Sequence, residues 1–328
     1  MDPSHHKEHV VGRGLTYRYY WSPPAQGKPT FLFVHGFPST AYDWHKQVAY
    51  FQPLGYGIIA PDLLGAGGTA KLLDFKAFRM NAMAHDVMDI LVAEGLDKVI
   101  GISHDWGSPL LSCLAVLYPE TFLGYTWIAV AFSEPMTVPF NLEALMAYTK
   151  EKLGYESYAY WEFFLKDDAH ITIQRNVDSF LQLMYPERPE DWLKHIVVRG
   201  KSAECVEGNL QLGRPSFLSD EEYTALHDNL LANGIQSALN WYRVAVENVN
   251  VEDGLKIPNE AWTLRAPSLV FLALKDIVCT PAAARENMET YGGPDVEYCE
   301  VETGHWAHLE RTEEVNTALR RWLESRGW

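Results

Sequence analysis

Ser103-His104-Asp105-Trp106-Gly107 places a hydroxyl, an imidazole and a carboxylate side by side. Which of them does chemistry depends on which one the backbone holds at the tip of a turn. Read as Gly-x-Ser-x-small, the nucleophile would be Ser103, but the fifth place would then be the bulky, charged Asp105. Read two residues later, Ser103-x-Asp105-x-Gly107 has small residues on both sides of the tip. We therefore read Asp105 as the nucleophile; it is ionised at neutral pH and needs no base to activate it. The bland alternative is a strand end followed by an aspartate cap. Farther along, Asp276 and His305 supply an acid and an imidazole, a pair that can orient and activate water.

The elements around these residues are those such a site requires. Val99–Ile102 feeds Asp105, and the apolar Leu110–Leu117 follows it, which is a strand turning sharply into a helix. Thr30–Val34 is a continuous apolar run, the pattern of a strand buried on both faces, and ends in His35-Gly36-Phe37-Pro38. Glycine and proline there can aim the Phe37 amide into a pocket. Gly57–Asp62 repeats the strand-to-loop unit, and the glycine-rich Leu63–Thr69 fits no phosphate-binding spacing. Phe78–Ala93 has helical periodicity, and Leu15–Trp21 alternates like an antiparallel edge strand. Strands alternating with helices predict an α/β fold with a doubly wound, mostly parallel sheet, whose ligands bind at the carboxyl ends of the strands. From Glu134 to Asn250 no parallel-strand run occurs, only helix-like stretches rich in aromatics. We read residues 134–250 as a helical cap inserted after strand 6, and residues 1–133 and 251–328 as the core. Ser268–Leu274 and Val296–Val301 resume the strands, Asp276 and His305 follow them closely, and Val315–Leu323 is the last helix.

Nucleophile, acid, histidine is the chain order of the α/β-hydrolase fold. Four segments together resemble the soluble epoxide hydrolase branch of that superfamily: His35–Pro38, Ser103–Gly107, Ala238–Arg243 and Gly304–Trp306. Asp62–Thr69 is similar to that family's glycine-rich loop, with Ala66 where an aromatic is common, and Ser103 stands where glycine is frequent. The resemblance covers nearly the whole chain. It implies that Tyr160 and Tyr242 donate to the opening ring, with Tyr155 and Tyr158 as neighbours that could replace Tyr160. It implies an oxyanion hole from the amides of Phe37 and Trp106, and contacts to substrate from His35, Pro38, Trp106, Tyr160, Tyr242 and Trp306. Asp276 would orient His305, with Glu134 as the competing acid. His104 would point away from the pocket, and His308 would start or cap the last helix. The expected product is a vicinal diol, formed without metal or organic cofactor. The chemistry is coherent: serine on a saturated carbon would leave an inert ether, whereas aspartate leaves an ester that water can cleave. A haloalkane dehalogenase would use the same triad, but its second halide donor is missing at Phe37. A non-catalytic ligand receptor on the same fold is the rival from another class.

Composition narrows the partners. A formal net charge of −16 opposes nucleic acid and anionic membrane surfaces. Hydrophobic content of 47% supports a large core, yet no apolar run is long enough to span a bilayer. Cys113, Cys205, Cys279 and Cys299 lie far apart without metal spacing, as in a reducing compartment. No basic segment with an apolar stretch opens the chain, and His5, His6 and His9 read as a solvated arm. The expectation is a cytoplasmic enzyme of a small epoxide, with a homodimer left open.

Overall fold

The computed structural model describes residues 1–328. Eight strands form one sheet: β1 (His6–Val10), β2 (Thr16–Ser22), β3 (Thr30–Val34), β4 (Gly57–Pro61), β5 (Val99–His104), β6 (Phe122–Ile128), β7 (Ser268–Ala273) and β8 (Val296–Val301). Their order is β1-β2-β4-β3-β5-β6-β7-β8. β1 and β2 pair antiparallel, as do β2 and β4, and every other pairing is parallel.

The central strands β3, β4 and β5 are buried at every position, because helices cover both faces of the sheet. Alternation persists inside the apolar run. Leu32 and Val34 pack with helices Met80–Ala93 and Gly107–Leu117, whereas Phe31 and Phe33 pack with helices His45–Phe51 and Thr312–Ser325. These two layers are the core on which the carboxyl ends of β3, β5, β7 and β8 are held.

Between β6 and β7 every regular element is helical. That segment has its own apolar cluster, including Trp161, Phe164, Phe180 and Tyr242, into which Phe37, Val278 and Trp306 project from the sheet side. The helices thus lie over the carboxyl edge. No helix is long and apolar enough to cross a membrane.

One expectation is corrected at the amino end. His6–Val10 is not a solvated arm but the edge strand, pairing with β2 at five positions, so Leu15–Trp21 lies one strand inside the edge. Its residues alternate poorly because ladder hydrogen bonds, not an apolar face, hold it; His5 also stacks on Tyr20 at 5.2 Å.

Candidate active site

The turn after β5 has its tip at Asp105. Its φ of +50° lies in the left-handed region, a conformation that costs a non-glycine residue roughly 1–3 kcal/mol and persists only where surroundings enforce it. The surroundings are tight. A Cβ on Gly107 would sit 2.1 Å from the Val34 carbonyl oxygen, so only glycine lets the following helix lie this close to β3. A Cβ on Gly36 would sit 2.4 Å from the Asp105 side chain, so the Phe37 loop lies flush against the carboxylate. Ser103, the alternative tip, is buried in β5 with its hydroxyl 2.9 Å from that of Ser108.

The carboxylate oxygens of Asp105 have different partners. Oδ1 accepts the Phe37 N–H at 2.8 Å, and Oδ2 lies 3.6 Å from His305 Nε2. His305 Nδ1 lies 2.7 Å from Asp276 Oδ2. Asp276 Oδ1 accepts the amides of Val278 and Cys279, both at 2.9 Å, and its side chain is wholly inaccessible. Glu310 fixes the loop that carries His305: its Oε2 accepts the Gly304 amide at 2.9 Å and its Oε1 the Trp306 amide at 3.0 Å. Glu134 takes no part in these bonds and lies exposed on a cavity wall.

Electrostatics follow from the geometry. Removal from water works against the Asp105 charge, but His305 and the Phe37 amide outweigh it and hold the carboxyl below its ordinary range. Burial likewise opposes the His305 charge, yet Asp276 and Asp105 together raise it well above the usual histidine value. His104 is buried, pushed down to about 3, and gives its Nε2 hydrogen to the His305 carbonyl at 3.0 Å. It lines no cavity.

Two cavities meet at Asp105, Tyr160, Val278 and Cys279. The larger, about 340 Å³, runs between the helix after Asp105 and the segment leaving β6. The smaller, about 20 Å³, is bounded by Phe37, Met184, Trp192, Ile196, Tyr242 and His305. Enclosure raises both the Tyr160 and Tyr242 phenols well above their ordinary value, so both stay protonated donors. Their rings lie 6.0 Å apart edge-on, and Tyr242 also packs on Phe37 and Trp106 at 5.0 and 5.3 Å. Tyr155 gives its hydroxyl to the Ile277 carbonyl at 3.0 Å, and Tyr158 reaches only the larger cavity.

Three expected substrate contacts are not brought to either cavity. His35 accepts the Leu63 amide at Nε2 (2.9 Å), so Nδ1 carries the proton and donates to the Gly36 carbonyl (2.8 Å); the ring joins two loops and has no nitrogen to spare. Trp306 stacks on Tyr185 at 4.0 Å and donates to the Met184 carbonyl at 2.7 Å. Pro38 is half-buried behind the loop. Trp106 does line the larger cavity. His308 does not start or cap the last helix, Thr312–Ser325, but is fully buried in the separate short helix Ala307–Glu310.

Several wall residues had no sequence signal, among them Met184, Trp192 and Ile196 from the helical segment. Val278 and Cys279 lie two and three residues after Asp276, a proximity that the sequence itself displays. Asp276, Cys279 and His305 offer ligand atoms within 4.8 Å of one another. Enclosure pushes the Cys279 thiol up to about 12, and Asp276 already accepts two amides and faces an imidazole. The set reads as a triad with a thiol beside it rather than as a metal cage.

Comparison with known proteins gives the same frame. The chain is 24% identical over 306 residues to epoxide hydrolase A of Mycobacterium tuberculosis, covering 90% of this chain and 91% of that protein. It is 25% identical over 346 residues to epoxide hydrolase srdG of Neurospora crassa, covering 98% and 95%. The structure of an epoxide hydrolase from an endophytic Streptomyces superposes with a TM-score of 0.80 at 25% identity, covering 97% of this chain and 95% of that one. The family model for the alpha/beta hydrolase fold matches residues 29–312. With that match spanning most of its length, and with its similarity to epoxide hydrolases, the chain belongs to the α/β-hydrolase fold family.

Proposed function

We propose that this protein is an epoxide hydrolase that works through a covalent ester on Asp105, with residues 134–250 as its cap. Asp105 Oδ2 attacks one epoxide carbon in line as the carbon–oxygen bond on the far side breaks. The departing oxygen takes a proton from Tyr160 or Tyr242 and becomes a hydroxyl. In the second half, His305, oriented by Asp276, takes a proton from water as the water oxygen adds to the ester carbon. Oδ1, now oxyanionic, is held by the amides of Phe37 and Trp106. Losing one such donor typically raises the barrier by about 2.7–4 kcal/mol. Collapse expels the diol, which receives the proton from His305, while the second water proton restores the phenol and leaves Asp105 ionised.

The observation that carries this reading is the pairing of an ionised carboxylate with protonated phenols around one small pocket. A halide leaves without a proton and gives phenols no work, and a serine acylase has no use for them either. The test is a single turnover of styrene oxide with excess protein in oxygen-18 water, followed by mass analysis of the peptide bearing Asp105. Label in that peptide together with diol supports the mechanism. Diol without label sinks it, and halide release from simple haloalkanes in place of diol from epoxides would favour the dehalogenase.

A further inference from the structure

The two cavities that meet at Asp105 are very unequal, and an epoxide has two carbons whose substituents must go somewhere. When the ring sits between Asp105 and the tyrosines, groups on one carbon point into one arm and groups on the other carbon into the second. The short arm, at about 20 Å³, is little more than the 10–15 Å³ or so that a single water requires. It lies against His305, where the hydrolytic water of the second step has to stand. An alkyl or aryl group of any size there would clash with Trp192 and Ile196 and exclude that water.

The long arm is different in size and in chemistry. Its volume of about 340 Å³ is roughly twice that of a 150 Å³ apolar cavity that takes up benzene. One wall is a single face of the helix Gly107–Leu117, with Pro109, Cys113 and Val116 at helical spacing, so it runs for roughly 10 Å at about 1.5 Å per residue. Met136, Phe140 and Ile257 close the opposite side. The arm contains no lysine, arginine or histidine, and its two ionisable carboxyl groups are Asp105 at one end and the exposed Glu134 on its wall. An anionic tail would find no positive charge to pair with, only the carboxyl groups, apolar surface and neutral polar groups such as Asn81, Ser112, Ser133 and Asn250.

We infer that the site selects a neutral epoxide bearing one large apolar substituent on a single ring carbon, and rejects both internally disubstituted and carboxylate-tailed epoxides. This rests on the epoxide hydrolase reading above. Trp192 and Ile196 are then the residues that limit the short side, and Cys113 and Val116 those that set the reach of the long side.

The experiment compares kcat/KM of the intact protein for two isomers, 1,2-epoxydecane and trans-5,6-epoxydecane, and for 10,11-epoxyundecanoate against its methyl ester. The terminal isomer and the ester are each expected to be preferred by at least about tenfold, the scale on which a misfit of a methylene or more is discriminated. Ile196→Ala should raise the internal-to-terminal ratio, and Cys113→Phe should lower the ratio of 1,2-epoxydecane to 1,2-epoxybutane. Ratios are read, so partial loss of folded protein does not mimic the effect. Equal turnover of the two decane isomers, or of acid and ester, overturns the inference while leaving the epoxide hydrolase reading intact. Failure to turn over any of these epoxides, 1,2-epoxybutane and styrene oxide included, overturns the underlying reading and this one with it.

Discussion

Asp105 and His305 each hold the other's charge, and that has a consequence for timing. In the free protein Asp105 is ionised to below its ordinary value of 3.8, and His305 is protonated to well above 6.5. A protonated imidazole cannot take a proton from water. Esterification removes the Asp105 charge and with it one of the two groups that raise His305, so in the proposed reaction His305 gives its proton to solvent only once there is an ester to hydrolyse, and takes one back from solvent when Asp105 is freed as a carboxylate. The two half-reactions should therefore titrate differently. Ester formation needs only the Asp105 carboxylate, whose depressed value keeps it available as pH falls, so its rate should be flat through the neutral range. Ester hydrolysis needs neutral His305, which Asp276 still holds above the ordinary histidine value, so its rate should fall as pH is lowered from the alkaline side. Rapid quenching with mass detection of the Asp105 adduct should show it accumulating at the acid end. If both half-reactions follow one pH profile, the coupling assigned to this pair is wrong.

At the scale of elements, β3, β5 and β7 were readable because burial on both faces imposes continuous apolar runs such as Thr30–Val34. Asp105, Asp276 and His305 were readable because each follows one of these strands or β8 closely. β1 was not, since its His-Lys-Glu-His core owes its place to ladder bonds that leave no periodicity. Tyr160 was preferred over Tyr155 and Tyr158 only through the resemblance, since the three lie within two turns of one another; the winding into the helix Trp161–Phe164 turns the Tyr155 hydroxyl to Ile277 and the Tyr160 ring toward Tyr242. Trp306 was expected at the substrate because it follows His305, but its indole is a tie between that loop and the helical segment. Trp306→Phe keeps the stack on Tyr185 and leaves the Met184 carbonyl unpaired, which should cost about 1–3 kcal/mol of stability. KM for a small epoxide should not change. Denaturant unfolding and steady-state kinetics of the variant check this; a shifted KM at unchanged stability would return Trp306 to the substrate.

In the whole molecule, the helical segment leaves the sheet at β6 and returns at β7, which are hydrogen-bonded neighbours, so the insertion does not interrupt the sheet's register. It is fastened around its rim: the Trp241 indole donates to the Leu64 carbonyl at 3.0 Å, the Met80 amide donates to Asn250 Oδ1 at 3.0 Å, and His45 meets Glu222 at 2.5 Å. Across this boundary the two kinds of chemistry in the proposed reaction have separate owners. The sheet carries Asp105, Asp276 and His305, whereas Tyr160 and Tyr242 arrive with the inserted helices. A lineage could therefore keep its nucleophile and exchange the part that helps the leaving group depart, acquiring a new class of electrophile through inheritance of a lid alone. The double variant Tyr160→Phe, Tyr242→Phe imitates such an exchange. It should lose epoxide opening yet still be alkylated at Asp105 by a primary alkyl iodide, whose leaving group needs no proton. Mass analysis of the Asp105 peptide decides the matter: an adduct from the iodide and none from the epoxide is the expected pair, and an epoxide adduct formed at the parental rate would mean that the phenols are wall and not acid.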